Sequence, residues 1–397
     1  MKYIVILADG LADEPIEALG NKTPVMVAHT PNIDHLCAMS QTGMVKTVPD
    51  SLHPGSEVAN MGIMGYDAEK YYQGRGVLEA AALRITMEPG DLVFRCNLVT
   101  VEDERLLNHS AGHISTEEAK ELIEALNEQL GSERVIFHPG VSYRHVLVVK
   151  NGINNIECTP PHDVPGSKIK GIMPHCVGDS ETTQLISQLM LASRDVIESH
   201  PVNKNRRERG LSMGNMIWPW SPGYFPVMPT LNELYGIKKG GVISAVDLIH
   251  GLGRFSGMDS IYVSGATGLY NTNYSGKAEA ALEHLKSKEY IYLHVEAPDE
   301  AGHEGDVQLK IRTIEDIDAK IVGPILQNAA HDTTIAFLPD HPTPCNLRTH
   351  TRNAVPFMIY RPGSKGDAVK QYNEVSVQKG AFGTIKGSDF MKLLLNH

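Results

Sequence analysis

The sequence predicts an α/β fold with a mostly parallel sheet, because short apolar segments alternate with helical patterns along most of the chain. Three of these segments, residues 3–8, 290–295 and 334–338, are largely apolar runs whose length suits buried strands. A polar side chain follows each run within two residues. Because open parallel sheets place their sites just beyond the carboxyl ends of the strands, the same three segments mark the expected functional site.

Composition indicates a globular protein that does not act on nucleic acids or membranes. The chain has 397 residues, of which 42% are hydrophobic and 21% charged, and its formal net charge is −11. Nucleic acids and anionic membranes attract clustered Lys and Arg, so this balance argues against both partners. No secretory segment is visible, and no apolar run reaches the ~20 residues of a membrane span. The five cysteines form no CxxC pair and suit free thiols, so a reducing cytoplasm is the expected location.

A change of pattern near residue 88 predicts a second domain inserted into the first. Residues 88–175 have the pattern of two strands, a helix and two more strands, with Ser115 as the N-cap of the helix. We therefore expect a smaller α+β domain at 88–175 and a discontinuous main domain at 1–87 and 176–397. An inserted domain of this kind can close a polar site against water. Farther along, we expect one helix over 181–199 and an irregular loop over 214–229, where both tryptophans and four prolines occur.

Side chains that commonly bind metal ions occur shortly after the predicted strands. They are Asp9, Asp299, His303, Asp340, His341 and His350. Asp299 and His303 are four residues apart, which puts both on one face of a helical turn. Taken singly, each segment also fits an ordinary polar turn, and Asp9 followed by Gly10 is an example. The repetition of the pattern favours a metal site.

Ser56 is a candidate nucleophile because of the turn that precedes it. It follows Pro54 and Gly55 and comes before a stretch with helical potential. A hydroxyl at a helix N-terminus lies near free backbone N–H groups, which favour an anion such as phosphate. The alternative is a serine that simply caps the helix, and one residue could fill both roles.

The six side chains and Ser56 provide seven oxygen and nitrogen donors, which are enough for two divalent ions. Two ions ~3.5–4 Å apart clamp a transferring phosphoryl group, activate a nucleophilic oxygen and neutralise developing charge. The donor set contains no cysteine, which points to Mn²⁺ or Zn²⁺ and away from a structural thiolate zinc.

The motifs resemble the alkaline phosphatase superfamily and, within it, the cofactor-independent phosphoglycerate mutases of the shorter, archaeal type. The resemblance covers nearly the whole chain. Two of the motifs that carry it are the segments with Asp299 and His303 and with Asp340 and His341. The others are residues 7–10 (Leu-Ala-Asp-Gly), 54–59 (Pro-Gly-Ser-Glu-Val-Ala), 95–100 (Arg-Cys-Asn-Leu-Val-Thr), 110–115 (Ser-Ala-Gly-His-Ile-Ser), 143–145 (Tyr-Arg-His), 160–163 (Pro-Pro-His-Asp) and 276–279 (Gly-Lys-Ala-Glu). It implies an alkaline-phosphatase-like fold, in which helices flank a mostly parallel sheet and a smaller α+β domain is inserted.

The resemblance also implies two divalent metal ions, with Mn²⁺ as the expected metal and Zn²⁺ and Mg²⁺ as alternatives. One ion would be held by Asp299, His303 and His350. The other would be held by Asp9, Ser56, Asp340 and His341. Ser56 would carry the phosphoryl group as phosphoserine between 3-phosphoglycerate and 2-phosphoglycerate, so that no 2,3-bisphosphoglycerate is needed.

The substrate expected from the resemblance is a small phosphorylated molecule. The family binds it between the metal domain and the inserted domain, which makes Arg144, His162 and Asp163 candidates for holding it. Lys277 is a candidate partner for the phosphate group. The sequence leaves the oligomeric state open.

At two places the chain departs from the family pattern. Residues 339–344 are Pro-Asp-His-Pro-Thr-Pro where members commonly have Ser-Asp-His-Ser-Thr-Pro, and residues 351–356 are Thr-Arg-Asn-Ala-Val-Pro where Gly-Asp-Pro-Val-Pro is frequent. Neither change touches an expected ligand. Three alternatives stay open: a related phosphotransfer enzyme acting on another small alcohol such as homoserine, a metal-dependent phosphatase, and a catalytically silent protein of the same fold.

Overall fold

The computed structural model describes residues 1–176 and 180–396, and the chain divides into two units. The first unit comprises Met1–Tyr72 and Met228–His397, and the second comprises Gln73–Val227. The strands, in chain order, are β1 (Lys2–Ala8), β2 (Gln41–Lys46), β3 (Leu92–Glu102), β4 (Arg105–Asn108), β5 (Val135–His138), β6 (Arg144–Val149), β7 (Ile156–Glu157), β8 (His175–Cys176), β9 (Met216–Tyr224), β10 (Gly240–Ile243), β11 (Asp259–Ile261), β12 (Tyr290–Val295), β13 (Thr333–Leu338), β14 (Val355–Tyr360) and β15 (Thr384–Lys386).

Helices make up much of the remaining chain. They are α1 (Pro24–Val27), α2 (Pro31–Met39), α3 (Ser56–Ile63), α4 (Ala68–Tyr71), α5 (Arg75–Ala82), α6 (Thr116–Leu130), α7 (Glu181–Ile197), α8 (Pro201–Glu208), α9 (Leu231–Tyr235), α10 (Asp247–Phe255), α11 (Tyr274–Leu285), α12 (Ala297–Glu304), α13 (Val307–Ile317), α14 (Gly323–Asn328) and α15 (Phe390–Leu395). Within the described ranges, none of the helices is both long and apolar enough to cross a membrane.

The first unit is built on an eight-stranded sheet in the order β11-β10-β12-β1-β13-β14-β2-β15. Strand β14 runs antiparallel to both neighbours, and the other pairs are parallel. Every residue of β12 and β13 is buried, as their largely apolar sequences predict. This sheet confirms the predicted α/β class with a mostly parallel sheet.

Apolar side chains from the sheet and its helices form the core of the first unit. Ile4 of β1 and Phe337 of β13 pack in one cluster with Ala278 of α11 and Ile314 of α13. Burying one large apolar side chain contributes about 1.5–3 kcal/mol to stability. The packing of this core therefore stabilises the strand order, on which the position of the site depends.

The second unit contains an antiparallel sheet in the order β4-β3-β6-β5, with β9 paired to β3. Helices α6 and α7 pack against each other and against this sheet, and their apolar faces share a core cluster with it. The Ser115 side chain accepts a hydrogen bond from the backbone N–H of Glu118 at 3.2 Å, which confirms the predicted cap of α6.

The domain boundaries in the structure differ from the predicted 88–175 insertion into 1–87 and 176–397. The second unit begins at Gln73, because α5 packs against β3 and β9 before the predicted start. It extends to Val227, because α7 and β9 come after the predicted end and complete its core. These contacts join segments far apart in sequence, so a local change of pattern did not reveal them.

The loop predicted over 214–229 is wrong, because most of it forms β9. Its residues pair with β3 from Leu92 to Val99 despite the prolines Pro219 and Pro222. Proline cannot donate a hydrogen bond and is tolerated at the edge of a sheet, which is where β9 lies. The helix predicted over 181–199 ends at Ile197, and α8 begins after a short break.

Candidate active site

Adjacent strand ends in the first unit bring together the side chains predicted to bind metal ions. Asp9 directly follows β1, and Asp340 lies two residues beyond β13. Helix α12 follows β12 and carries Asp299 and His303 one turn apart, as their spacing predicts. Since β12, β1 and β13 are parallel neighbours, their carboxyl ends meet at one edge of the sheet.

Asp299, His303 and His350 form the first group of ligand-type atoms. Asp299 Oδ2 lies 3.2 Å from His303 Nε2, and Asp299 Oδ1 lies 3.4 Å from His350 Nε2. The two Nε2 atoms are 2.9 Å apart. His303 Nδ1 lies 3.1 Å from the carbonyl oxygen of Arg348, so a proton on Nδ1 leaves the Nε2 lone pair directed at the group.

The charges of this first group depend on one another. Burial raises the pKa of Asp299, but hydrogen bonds from His303 and His350 outweigh it and hold that pKa well below its usual range. Burial lowers the pKa of His303, yet the nearby Asp299 carboxylate raises it overall to about 9. Without a cation, the two imidazoles therefore supply the positive charge that the buried carboxylate requires.

Asp9, Asp340, His341 and Ser56 form the second group. His341 Nε2 lies 3.5 Å from Asp9 Oδ1 and 3.5 Å from Asp340 Oδ2. The Ser56 hydroxyl oxygen lies 3.1 Å from the same nitrogen. The rings of His341 and His350 are 4.0 Å apart between centroids, so the two groups are adjacent.

Both groups fit divalent cations. Ligands about 2.0–2.2 Å from one ion lie roughly 3–3.5 Å from each other, which agrees with the separations above. Asp9 Oδ1 is fully buried and has no hydrogen-bond partner among the described residues. Burial and the neighbouring Asp340, Glu296 and Asp299 raise the pKa of Asp9 well above its usual value. A bound cation would relieve this crowding of carboxylates.

Asn60 positions Asp340 and was not predicted from the sequence. The Asn60 side-chain N–H groups donate to Asp340 Oδ2 and to the Ser56 carbonyl oxygen, each at 2.8 Å. The Asn60 side-chain oxygen accepts a hydrogen bond from the Tyr292 hydroxyl at 2.5 Å. Asp340 Oδ1 accepts from the backbone N–H of Gly10 at 3.1 Å. Asn60 lies one helical turn after Ser56. That spacing could have indicated, from the sequence, that Asn60 lies on the same face of the helix as Ser56.

Ser56 is the first residue of α3, and Gly55 is the N-cap. The interpretation of Ser56 as the capping residue is therefore wrong. Its hydroxyl contacts His341 and is not used to cap the helix. The arrangement leaves this oxygen at the helix N-terminus, beside the second group of ligand-type atoms.

Lys277 lies on α11 and is fully buried. Its ammonium donates to the carbonyl oxygen of His294 at 3.1 Å. Burial lowers the pKa of Lys277 to about 8, although Glu296 partly offsets that effect. His294 and Glu296, both near Asp9, were not among the predicted site residues. Glu296 directly follows the apolar strand β12, so it carried the same signal as Asp9 after β1.

The remaining predicted residues, Arg144, His162 and Asp163, lie in the second unit. Arg144 begins β6, and His162 Nε2 lies 3.6 Å from Asp163 Oδ1 in a short turn. The His162 ring packs edge-on against Trp220, with 5.2 Å between ring centroids. Burial lowers the pKa of His162, and Asp163 opposes that effect.

Arg95 supports Trp220 in the second unit and was also missed. Its guanidinium lies over the Trp220 ring at 5.0 Å from the centroid and forms a buried ion pair with Glu79 at 2.6 Å. Asn97 accepts hydrogen bonds from both Arg95 and Trp220. In the sequence, Arg95 could have been noticed as an arginine within a mostly apolar strand.

Comparisons with known proteins agree with this fold. A family model described as 2,3-bisphosphoglycerate-independent phosphoglycerate mutase matches residues 37–203. The chain is 48% identical over 400 residues to the protein of that name from Methanosarcina mazei, with 100% of both chains covered. It is 44% identical over 398 residues to 2,3-bisphosphoglycerate-independent phosphoglycerate mutase 2 of Methanothermobacter thermautotrophicus, covering 100% of this chain and 98% of the relative.

Two solved structures match the whole chain. A protein from Pyrococcus horikoshii has a TM-score of 0.83 at 30% identity, with 100% of this chain and 97% of the other covered. The cofactor-independent phosphoglycerate mutase from Thermoplasma acidophilum has a TM-score of 0.70 at 27% identity, with 100% and 99% covered. From full-length identity and a shared fold, the chain belongs to the family of 2,3-bisphosphoglycerate-independent phosphoglycerate mutases.

Proposed function

We propose that this protein interconverts 3-phosphoglycerate and 2-phosphoglycerate without 2,3-bisphosphoglycerate, through a phosphoserine at Ser56 in a two-metal site. Membership of the family supports the reaction. The observation that carries the chemistry is the Ser56 hydroxyl, which lies 3.1 Å from His341 Nε2 and beside the clustered ligand-type atoms. A serine hydroxyl is a weak nucleophile unless a base or a cation activates it, and this position provides for that activation.

We divide the proposed ligands between two ions as the family resemblance implies, and His341 also lies near Asp299 and His350. Asp299, His303 and His350 would hold one ion, and Asp9, Ser56, Asp340 and His341 would hold the other. When bound, the ions would acidify the serine hydroxyl and neutralise charge on the phosphoryl oxygens. Carboxylate, imidazole and hydroxyl donors without a thiolate suit Mn²⁺, with Zn²⁺ and Mg²⁺ as alternatives.

Two transfers to and from Ser56 account for the isomerisation. First, Ser56 Oγ bonds to phosphorus as the bond from phosphorus to the C3 oxygen breaks, and that oxygen takes the proton that the serine gives up. Glycerate then stays bound. Its 2-hydroxyl next attacks the phosphoserine and loses its proton, while Ser56 Oγ leaves and is protonated. The atoms balance without a second substrate.

The substrate carries a carboxylate and a phosphate, so its site requires cationic groups for both ends. We assign Arg144 to the carboxylate, because a guanidinium can pair with it through two hydrogen bonds. His162 and Asp163 are assigned to the glycerate hydroxyls. Lys277 is assigned to the phosphate, since its hydrogen bond to the His294 carbonyl uses one of the three donors of the ammonium. A cytoplasmic location fits five cysteines that form no CxxC pair.

Three parallel assays on purified, Mn²⁺-loaded protein test the proposed function. One follows formation of 2-phosphoglycerate from 3-phosphoglycerate, the second follows release of inorganic phosphate, and the third follows ATP-dependent phosphorylation of homoserine. We expect isomerisation to exceed both other rates by a wide margin. Phosphate release faster than isomerisation would identify a phosphatase. Homoserine phosphorylation without isomerisation would replace the substrate and leave the proposed Ser56 chemistry in place.

A further inference from the structure

A buried serine, histidine and aspartate form a chain of hydrogen bonds across three neighbouring strands, β10, β12 and β1. Ser244 directly follows β10, His294 lies in β12, and Asp9 directly follows β1. The register pairs His294 with Leu7, two residues before Asp9. The three polar residues are at most 2% exposed, so water does not compete for their hydrogen bonds.

The direction of each hydrogen bond follows from its partners. Ser244 Oγ accepts from the backbone N–H of Val246 at 2.9 Å, so its own proton is free to donate. It lies 3.2 Å from His294 Nδ1, which accepts that proton. The His294 proton is therefore on Nε2, which lies 2.8 Å from Asp9 Oδ2 and donates to it.

This chain of hydrogen bonds leaves the two oxygens of Asp9 in different situations. Oδ2 is occupied by His294, whereas Oδ1 has no hydrogen-bond partner in the described part of the chain and lies 3.5 Å from His341 Nε2. We infer that His294 is a positioning residue that turns Asp9 Oδ1 toward the proposed second ion, and that Ser244 fixes the His294 tautomer this requires. The inference rests on the proposed metal centre. Hydrogen bonds of this kind orient ligands and raise metal affinity.

A different role for His294 is as a ligand itself. Ligand-type atoms of Asp9, His294 and Glu296 also lie within 4.8 Å of one another. However, the 2.8 Å separation of His294 and Asp9 is a hydrogen-bond length, and both His294 nitrogens already have partners. The geometry therefore favours the positioning role over a third cation.

Binding of Mn²⁺ to the full-length protein tests the inference directly. Metal-free wild-type protein is titrated with Mn²⁺ while free Mn²⁺ is followed by its paramagnetic resonance signal. We expect two bound ions in wild type, and in His294→Leu a loss of about 10–100-fold in affinity for one of them. His294→Gln, whose amide offers an N–H at the same position, should stay within a few fold of wild type. Ser244→Ala should fall between the two.

Tyr290→Phe is the matched control, because Tyr290 lies on the same strand, is fully buried, and its hydroxyl has no hydrogen-bond partner among the residues described. It should bind both ions as wild type does. Wild-type affinity in folded His294→Leu, or equal losses in His294→Leu and His294→Gln, would overturn the positioning role. So would a third bound ion that His294→Leu removes. Failure of wild type to bind Mn²⁺ would instead overturn the proposed metal centre on which the inference rests.

Discussion

The hydroxyl oxygen of Ser56 lies 3.1 Å from Nε2 of His341, although the two residues are 285 positions apart in the chain. Ser56 is brought there as the first residue of α3, and His341 by its position just after β13. Because Gly55 takes the N-cap position, the Ser56 hydroxyl contributes to the site without stabilising the helix.

Ser56→Ala should abolish turnover while leaving the protein folded, because the hydroxyl is the proposed nucleophile and caps nothing. The melting temperature should change little. Ser115→Ala is the reciprocal control, because it removes the cap of α6. It should cost about 1 kcal/mol of stability and reduce turnover far less than Ser56→Ala does. Mutase assays and thermal melts on both variants measure this. A tenth or more of wild-type turnover in Ser56→Ala would rule out covalent catalysis by this serine.

Removing divalent ions should stop turnover and lower the melting temperature. Asp9 and Asp299 are buried close together, and bound cations would offset their mutual repulsion. A ligand at a thousand times its Kd stabilises the folded state by about 4 kcal/mol, so the effect of EDTA on thermal unfolding should be clear. Adding Mn²⁺ should restore both quantities. Full turnover in protein that elemental analysis finds free of metal would contradict the two-metal proposal.

Gly10→Ala should weaken metal binding through Asp299. Gly10 has a φ of +59°, and a Cβ there would meet Asp299 Oδ1 at 2.4 Å, so the carboxylate must move. We expect at least a tenfold loss of Mn²⁺ affinity at one ion.

Gly20→Ala is a control matched in backbone conformation, with a φ of +67° and no atom within 4 Å of its added Cβ among the described residues. Both variants carry the left-handed backbone cost of roughly 1–2 kcal/mol, but only Gly10→Ala should lose Mn²⁺. Equal Mn²⁺ affinities in the two variants would exclude the steric explanation.

Lys277→Met should change how stability depends on pH. Burial lowers the pKa of Lys277 from 10.5 to about 8, so between these values the unfolded chain holds a proton that the folded protein lacks. The free energy of unfolding of wild type therefore gains a contribution as the pH rises through this window, and the variant lacks it. Relative to wild type, the stability of the variant should fall by about 3 kcal/mol from about pH 7.5 to pH 10.5.

Urea unfolding of wild type and Lys277→Met at several pH values measures this difference, since titrations common to both proteins cancel. Turnover of the variant should also drop, because Lys277 is the proposed phosphate partner. A stability difference that stays constant across the pH range would mean that the ammonium is not desolvated in the folded protein.

Several features of this protein followed from the sequence alone because they depend on local chemistry. The apolar runs at 3–8 and 334–338 predicted β1 and β13, since a strand buried on both faces must be apolar throughout. Asp299 and His303 were correctly placed on one face of a helix, because helical geometry is set by spacing. Ser115 was correctly identified as a cap for the same local reason.

Other features were decided only by tertiary structure. The prolines of β9 indicated a loop, yet pairing with β3 outweighed that local preference. The sheet order β10-β12-β1-β13 joins segments hundreds of residues apart, and it alone makes Ser244, His294 and Asp9 neighbours. Before folding, His294 is one polar residue in an apolar run. Its partners are fixed by strand register, which depends on packing of the whole core, and a local sequence pattern does not contain that information.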